Sequence, residues 1–307
     1  MNSRTISLLF VLLALVWGSL FVFIEIGLPY IPPVLFAALR HDIAAVLTVG
    51  YAAAVSTRWR PRNRSDWVLV TLGAVFFVGL YNGFLFIGQQ DVTGGIAAIL
   101  VATNPVLAAL FSWLLIPNSR LSTVGLVGLA LGLAGVSLVA RPDLSGPLQS
   151  DSLGALLVVL STACLAFGSV LVERVESELS TEGFVAWSNV FGALFLHALS
   201  FGLPGESLAQ VELTGESLGA LLYLGIVGSG VSAILYFQLL DELGAVEINL
   251  VSYAAPIFTA ILGWLLLNET LSPLSIVGFL SIFLGFALIK RRELRAELRS
   301  LAAAVES

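Results

Sequence analysis

The chain is divided into apolar stretches long enough to cross a bilayer as helices, with only short connections between them. They run approximately over 6–27, 33–56, 67–89, 94–116, 122–140, 152–172, 183–203, 217–240, 245–267 and 273–290, which makes ten. Hydrocarbon offers the backbone no hydrogen-bond partners. A helix satisfies its own N–H and C=O groups there, so an all-α membrane protein of ten transmembrane helices is expected. The composition agrees: mean hydropathy is +1.00 and only 11% of residues are charged. Breakers separate most of the stretches, among them Pro29, Pro32, Pro33, Pro61, Gly94-Gly95, Pro117, Pro142, Pro204-Gly205 and Pro273. Arg4 followed by Ile6 to Ile24 has the look of a secretory signal. That run is too long for a signal core and lacks an A-x-A-like cleavage site, so it is read as a retained span.

The spans come in two diverged copies. Pro105, Ala109 and Trp113-Leu114-Leu115 reappear as Pro256, Ala260 and Trp264-Leu265-Leu266. Leu121, Ser122, Val127, Gly128, Gly135 and Leu138 reappear as Leu271, Ser272, Val277, Gly278, Gly285 and Leu288, and Gly18-Ser19 as Gly168-Ser169. Internal repetition across a whole membrane protein is a signature of transporters whose halves move around a central site. The division expected is a first five-helix repeat over 5–140, a second over 152–290, and a basic amphipathic cytoplasmic tail over 291–307, with Leu294, Leu298 and Leu301 at helical spacing.

Cationic residues set the orientation, because positive loops stay in the cytoplasm. With both termini inside, twelve arginines and lysines fall on inner segments (Arg4, Arg58, Arg60, Arg62, Arg64, Arg120, Arg174, Lys290, Arg291, Arg292, Arg295 and Arg299). Only Arg141 falls outside, and Arg40 lies within a span. Five spans per repeat is an odd number, so the second copy enters the membrane upside down and the halves form an inverted repeat. Exchanging conformations between such halves gives inward-open and outward-open states. One lysine against thirteen arginines, with acid-rich loops, would suit a high-salt setting.

Several chemistries lack support. Cys164 is the only cysteine, His41 and His197 stand far apart, and no H-E-x-x-H or P-loop pattern is present, so neither a zinc site nor nucleotide hydrolysis is expected. A membrane-embedded enzyme would need a G-x-G-D or G-x-S-x-G constellation within a span, and none is credible. A non-transporting receptor or scaffold is the main competitor, but the cytoplasmic loops are too short to house a signalling domain. The expected partners are therefore a small-molecule metabolite, the lipid bilayer and a coupling proton or ion, with a homodimer left open. No cofactor and no nucleic acid is expected.

Polar, small and ionisable residues inside the spans are the functional candidates. Pro105 and Pro256 sit about eleven residues into their spans, each removing a backbone hydrogen bond, and are read either as hinges or as static kinks. Asn249, Tyr253, Pro256, Ala260 and Gly263 share one face of a helix, with Leu250, Ile257 and Ile261 elsewhere, which suits cavity lining or inter-helix bonding. Asn104, Tyr81 and Asn82 have similar claims on the fourth and third spans. Ionisable groups in a bilayer are costly and are functional hypotheses by default. Arg40 lies roughly 10 Å along its helix from Pro33. Glu25 is placed to reach it as an ion pair, the alternative being an anion-binding or gating role for Arg40. Glu247 is a candidate for proton coupling, with Asp42 and His197 behind it. Trp59, Trp67 and Tyr30 fall at span ends as interfacial anchors. Gly125, Gly128, Gly132 and Gly135 mark close helix contact.

The Trp17-Gly18-Ser19 element, Phe36-Ala-Ala-Leu-Arg40, Pro105, Pro256 and the Asn268-Glu269-Thr-Leu turn together resemble the EamA family of the drug/metabolite transporter superfamily, over about residues 5 to 290. The resemblance implies a ten-helix plasma-membrane transporter, commonly an exporter of amino acids or related compounds. It also places Trp17 and Tyr236 on spans that line the central cavity. One departure stands out. The family carries an acidic residue after its fourth span as well as its ninth, and here Asn118 corresponds to Glu269, which favours a local structural role for Glu269.

Overall fold

The structure, a computed structural model, describes residues 3–116, 122–140, 150–243, 248 and 250–291. Every regular element among them is helical. In chain order these are α1 (Ser3–Gly27), α2 (Pro33–Val55), α3 (Arg64–Leu72), a π-helical segment π1 (Gly73–Leu80), α4 (Tyr81–Gly88), α5 (Gly94–Val101), α6 (Asn104–Leu115), α7 (Thr123–Ala140), α8 (Ser150–Val172) and α9 (Thr181–Gly202). A 3₁₀ turn (Leu208–Gln210) then leads to α10 (Gly215–Leu222), a second π segment π2 (Tyr223–Val231), α11 (Ser232–Leu243), α12 (Val251–Leu267) and α13 (Pro273–Ile289). Seven helical stretches are long and apolar enough to cross a membrane, and Gly215–Val231, Val251–Leu267 and Pro273–Ile289 are shorter apolar helices. The tail beyond 291, together with Asn118, Glu247 and Asn249, lies outside the described residues.

Helix starts are set by local chemistry. Ser180, Ser272 and Thr93 cap α9, α13 and α5 through their hydroxyl oxygens, which accept the N–H groups of Gly183, Ser275 and Ile96. Pro33 occupies the first turn of α2, and the first-turn amides of Val34 and Leu35 donate to the Glu206 carboxylate at 2.8 and 2.9 Å. A carboxylate suits this place because the N-terminal amides and the helix dipole both favour negative charge. At the other end of α12, Asn268 adopts a left-handed conformation (φ 56°), and its N–H reaches the Gly263 carbonyl to close the last turn.

The fourth expected span departs from a continuous helix. The stretch from Gly94 to Leu115 breaks at residues 102–103 into α5 and α6, and Pro105 falls in the first turn of α6 instead of kinking a helix interior. Proline is tolerated there because first-turn N–H groups have no intrahelical partner. The Thr103 hydroxyl donates to the Leu100 carbonyl at 2.6 Å across the break. Pro256 does lie inside its helix, α12, so the two corresponding prolines have different local structures.

Helices pack in a pattern that glycine makes close. α7 lies against α13, where an added Cβ on Gly128 would stand 2.5 Å from the Gly285 carbonyl oxygen and one on Gly135 would stand 2.6 Å from that of Gly278. Van der Waals attraction, hydrogen bonding and lipid entropy drive helix association in a bilayer, and small residues let the backbones approach. α2 packs on α9 and π2, α9 on π1, α1 on α12 and α10, and α8 on α4 and α6. The main apolar core gathers Phe36, Phe86, Ile99, Leu100 and Leu224, while Val46, Leu114, Phe201, Trp264 and Leu284 project from the outside of the bundle.

Candidate functional site

Arg40 sits on α2, three helical steps past the tightly packed Phe36-Ala37 pair, and only 8% of its surface is accessible. Its Nε donates to the Ser229 hydroxyl of π2 at 3.3 Å, and the Tyr81 hydroxyl of α4 lies within electrostatic reach. Among the described residues no carboxylate pairs with it. Next along the helix, His41 turns toward α9, where its Nδ1 shares a 2.8 Å hydrogen bond with Asn189 Oδ1, and Asn189 in turn donates to Thr48 at 3.4 Å.

The π segment beside this position has a counterpart in the other copy. π1 begins at Gly73 and π2 at Tyr223, corresponding places in the two sequence copies. Residue i+5 bonding widens a helix and misaligns carbonyls, and such segments recur at functional sites. Side chains satisfy the displaced groups. Asn82 Nδ2 donates to the Phe77 and Val78 carbonyls at 3.1 and 2.9 Å, the Ser229 hydroxyl to Leu224 O at 3.2 Å and the Ser232 hydroxyl to Gly228 O at 2.6 Å. Asn82 is thus bonded to its own helix. At the start of π2, Tyr223 stacks on Phe23 with ring centroids 3.9 Å apart, and its hydroxyl shares a 2.7 Å hydrogen bond with Ser19.

The other candidates fall into separate groups. Trp17 and Tyr236 stack, centroids 6.0 Å apart, beside Leu13, Leu239 and Ile248. Tyr253 packs between Phe283 and Phe286 of α13, and its buried hydroxyl has no hydrogen-bond partner among the described residues. Asn104 Oδ1, just past the break between α5 and α6, is also buried and without a partner among the described residues. Thus Arg40 and Tyr81 are brought together, Trp17 and Tyr236 are brought together, and Tyr253 is turned toward a different helix.

The expected Glu25–Arg40 ion pair does not form. Glu25 instead accepts the Gly94 N–H at 2.7 Å, capping the start of α5 near the far end of α1, while Arg40 turns toward π2. A helix N-terminus supplies the positive partial charge that a salt bridge would have offered. Glu269, in the turn between α12 and α13, lies beside Glu25 with one carboxyl oxygen buried and unpartnered; burial first and the Glu25 carboxylate second push its carboxyl up to about 8. Asp42 and His197 form a 2.8 Å pair across α2 and α9, half-exposed on the bundle surface.

Two openings complete the geometry. A cleft of about 180 Å³ between α2, α9 and π2 is lined by Thr48, Tyr51, Glu182 and Gly230, the last adjacent to Ser229. At the opposite end, a more polar pocket of about 330 Å³ is lined by Thr93, Thr270, Ser275 and Asp151. Tyr223, Ser229 and both π segments were missed by sequence reasoning. Their only visible signal is a hydroxyl five or fewer residues after a glycine-rich helical run, which is too common to single them out.

Comparison with known proteins reveals the relatives of this arrangement. The EamA-like transporter family model matches residues 4–141 and again 152–291. The chain is 26% identical to "Uncharacterized transporter YvbV" of Bacillus subtilis over 95% of this chain and 93% of that protein. It is 30% identical to the chloroplastic WAT1-related protein At3g02690 of Arabidopsis thaliana, over 85% of this chain and 64% of the plant protein, and 28% identical to "Uncharacterized inner membrane transporter YedA" of Escherichia coli over 85% and 82%. A solved crystal structure shares the fold at 23% identity with a TM-score of 0.61, covering 96% of this chain and all of the other. Two matches to one family model, set on apolar helices that pack around a buried arginine, make this chain a multi-pass membrane protein of the EamA family in the drug/metabolite transporter superfamily.

Proposed function

We propose that the protein moves a small organic metabolite, an amino acid or related compound, across the plasma membrane by alternating access of two inverted five-helix repeats, working as an exporter. In this reading the ten apolar segments all cross the bilayer and both termini are cytoplasmic. The observation that carries it is the reciprocal glycine contact between α7 and α13. Gly128 corresponds to Gly278 and Gly135 to Gly285, and Gly128 meets Gly285 while Gly135 meets Gly278. Contacts in which i touches j′ and j touches i′ are what a two-fold axis between the copies produces. The pairing of α2 with α9 and the corresponding places of π1 and π2 follow the same exchange. Two-fold related halves around a central site supply the two interconvertible states that alternating access needs.

Flux tests the reading. Purified protein in proteoliposomes loaded with amino acids, nucleosides, amines and organic acids is expected to release one compound class, followed by mass spectrometry with and without a proton gradient. Absence of protein-dependent flux for every class would sink it. Orientation is checked separately: a cysteine at Arg62 should react with an impermeant maleimide only after the cells are opened, and labelling of intact cells would invert the topology.

A further inference from the structure

Arg40 is a guanidinium held deep in an apolar bundle with one long hydrogen bond, from Nε to Ser229, and no carboxylate beside it among the described residues. The acids that sequence proximity would offer are engaged elsewhere, Glu25 on the Gly94 amide and Asp42 on His197. A buried charge without a counter-charge is strongly destabilising, and it is retained where it pairs with something that comes and goes. The guanidinium presents five N–H donors in a planar fork that matches a carboxylate in bidentate geometry. Among the described residues only Ser229 takes one of those donors, so the fork remains for a ligand.

Resting on the transport reading above, we infer that Arg40 anchors a carboxylate group of the transported metabolite, with the Ser229 and Tyr81 hydroxyls beside it. Charge decides the class. One guanidinium balances one negative charge, so a carboxylate leaves the site neutral, whereas a phosphate monoester, near −2 at neutral pH, leaves an uncompensated charge in low dielectric. His41 is turned away from this position, its Nδ1 bonded to Asn189 on the side facing α9. The cleft between α2, α9 and π2 is lined by Gly230, the residue after Ser229, and so opens beside the same π segment.

The test uses the full chain in proteoliposomes and as purified protein in detergent. The probes are L-lactate, L-leucine, lactamide, leucinamide, glycerol 3-phosphate and uridine. Wild-type protein should carry at least one carboxylate probe and reject its amide at least tenfold, with the same carboxylate raising the thermal unfolding midpoint. Arg40→Gln should lower that flux at least tenfold, Arg40→Lys should retain part of it, and Ser229→Ala should raise KM with kcat little changed. The wild-type comparison of acid with amide stands even if an Arg40 variant misfolds. Equal transport of acid and amide, or transport of uridine or glycerol 3-phosphate alone, would overturn the inference while leaving the transporter reading intact. No flux of any probe would overturn that reading and this inference with it.

Discussion

Glu25 illustrates how a single side chain resists prediction from sequence. Its position on α1 suggested Arg40, on the next helix, as partner, yet the amide it accepts belongs to Gly94, 69 residues away. The neighbour that matters electrostatically, Glu269, comes from the other sequence copy. Two adjacent carboxyl groups resist both being ionised, and burial adds to the effect. Glu269, raised from an ordinary value of 4.5 to about 8, holds a proton in the folded state that the unfolded chain has released. Its stabilising contribution is therefore full below about pH 4.5 and lost as pH rises through about 8. Wild-type protein should lose thermal stability relative to Glu269→Gln between pH 6 and pH 9, and parallel profiles for the two proteins would refute the shared proton. Tyr253 offers a second residue-scale test. Its buried hydroxyl has no partner among the described residues, and an unsatisfied hydroxyl costs about 1–3 kcal/mol, so Tyr253→Phe should leave stability unchanged or raise it. If transport falls while the melting temperature holds, the hydroxyl serves the substrate after all.

At the scale of the element, helices were legible because their cause is local. Length, apolarity and breakers placed the bounds of α1, α2, α9 and α13 within a few residues of where they lie. What escaped was the form that departures from regular α-helix take. The break at residues 102–103 and the two π segments depend on how carbonyls are satisfied by side chains, and apolar glycine-rich runs such as Gly73–Leu80 carry no distinguishing composition. Asn82 is the support of π1: its amide donates to the Phe77 and Val78 carbonyls within the widened segment. Asn82→Ala should destabilise the protein by about 1–3 kcal/mol, read by thermal unfolding, whereas Asn82→Asp keeps one oxygen but loses both donors and should fare no better. Wild-type stability in the alanine variant would mean that π1 persists without this support.

For the whole molecule, the sequence duplication and the packing agree through particular pairs. Gly128 against Gly285 and Gly135 against Gly278 are one contact seen twice under exchange of the two copies. Gly128→Leu and Gly278→Leu should therefore cost similar amounts, each about 1–3 kcal/mol by overpacking, because each drives a side chain into the backbone of the facing helix. A large cost in one and none in the other would show that the two copies do not share this interface equivalently. Arg40 was visible as an ionisable group within a span, but its isolation from carboxylates was not, since that depends on where Glu25 and Asp42 turn.

Membrane-length helices, their duplication and the family they belong to were determined by the sequence itself, because hydrophobic length and repetition are properties of the chain taken in order. Which polar groups meet was decided by tertiary structure alone. In helices apolar on nearly every side, periodicity barely marks which face turns inward, so the rotation of each helix, and with it the partner of every buried hydroxyl, amide and charge, is set by close packing at glycines and by the satisfaction of carbonyls at the breaks.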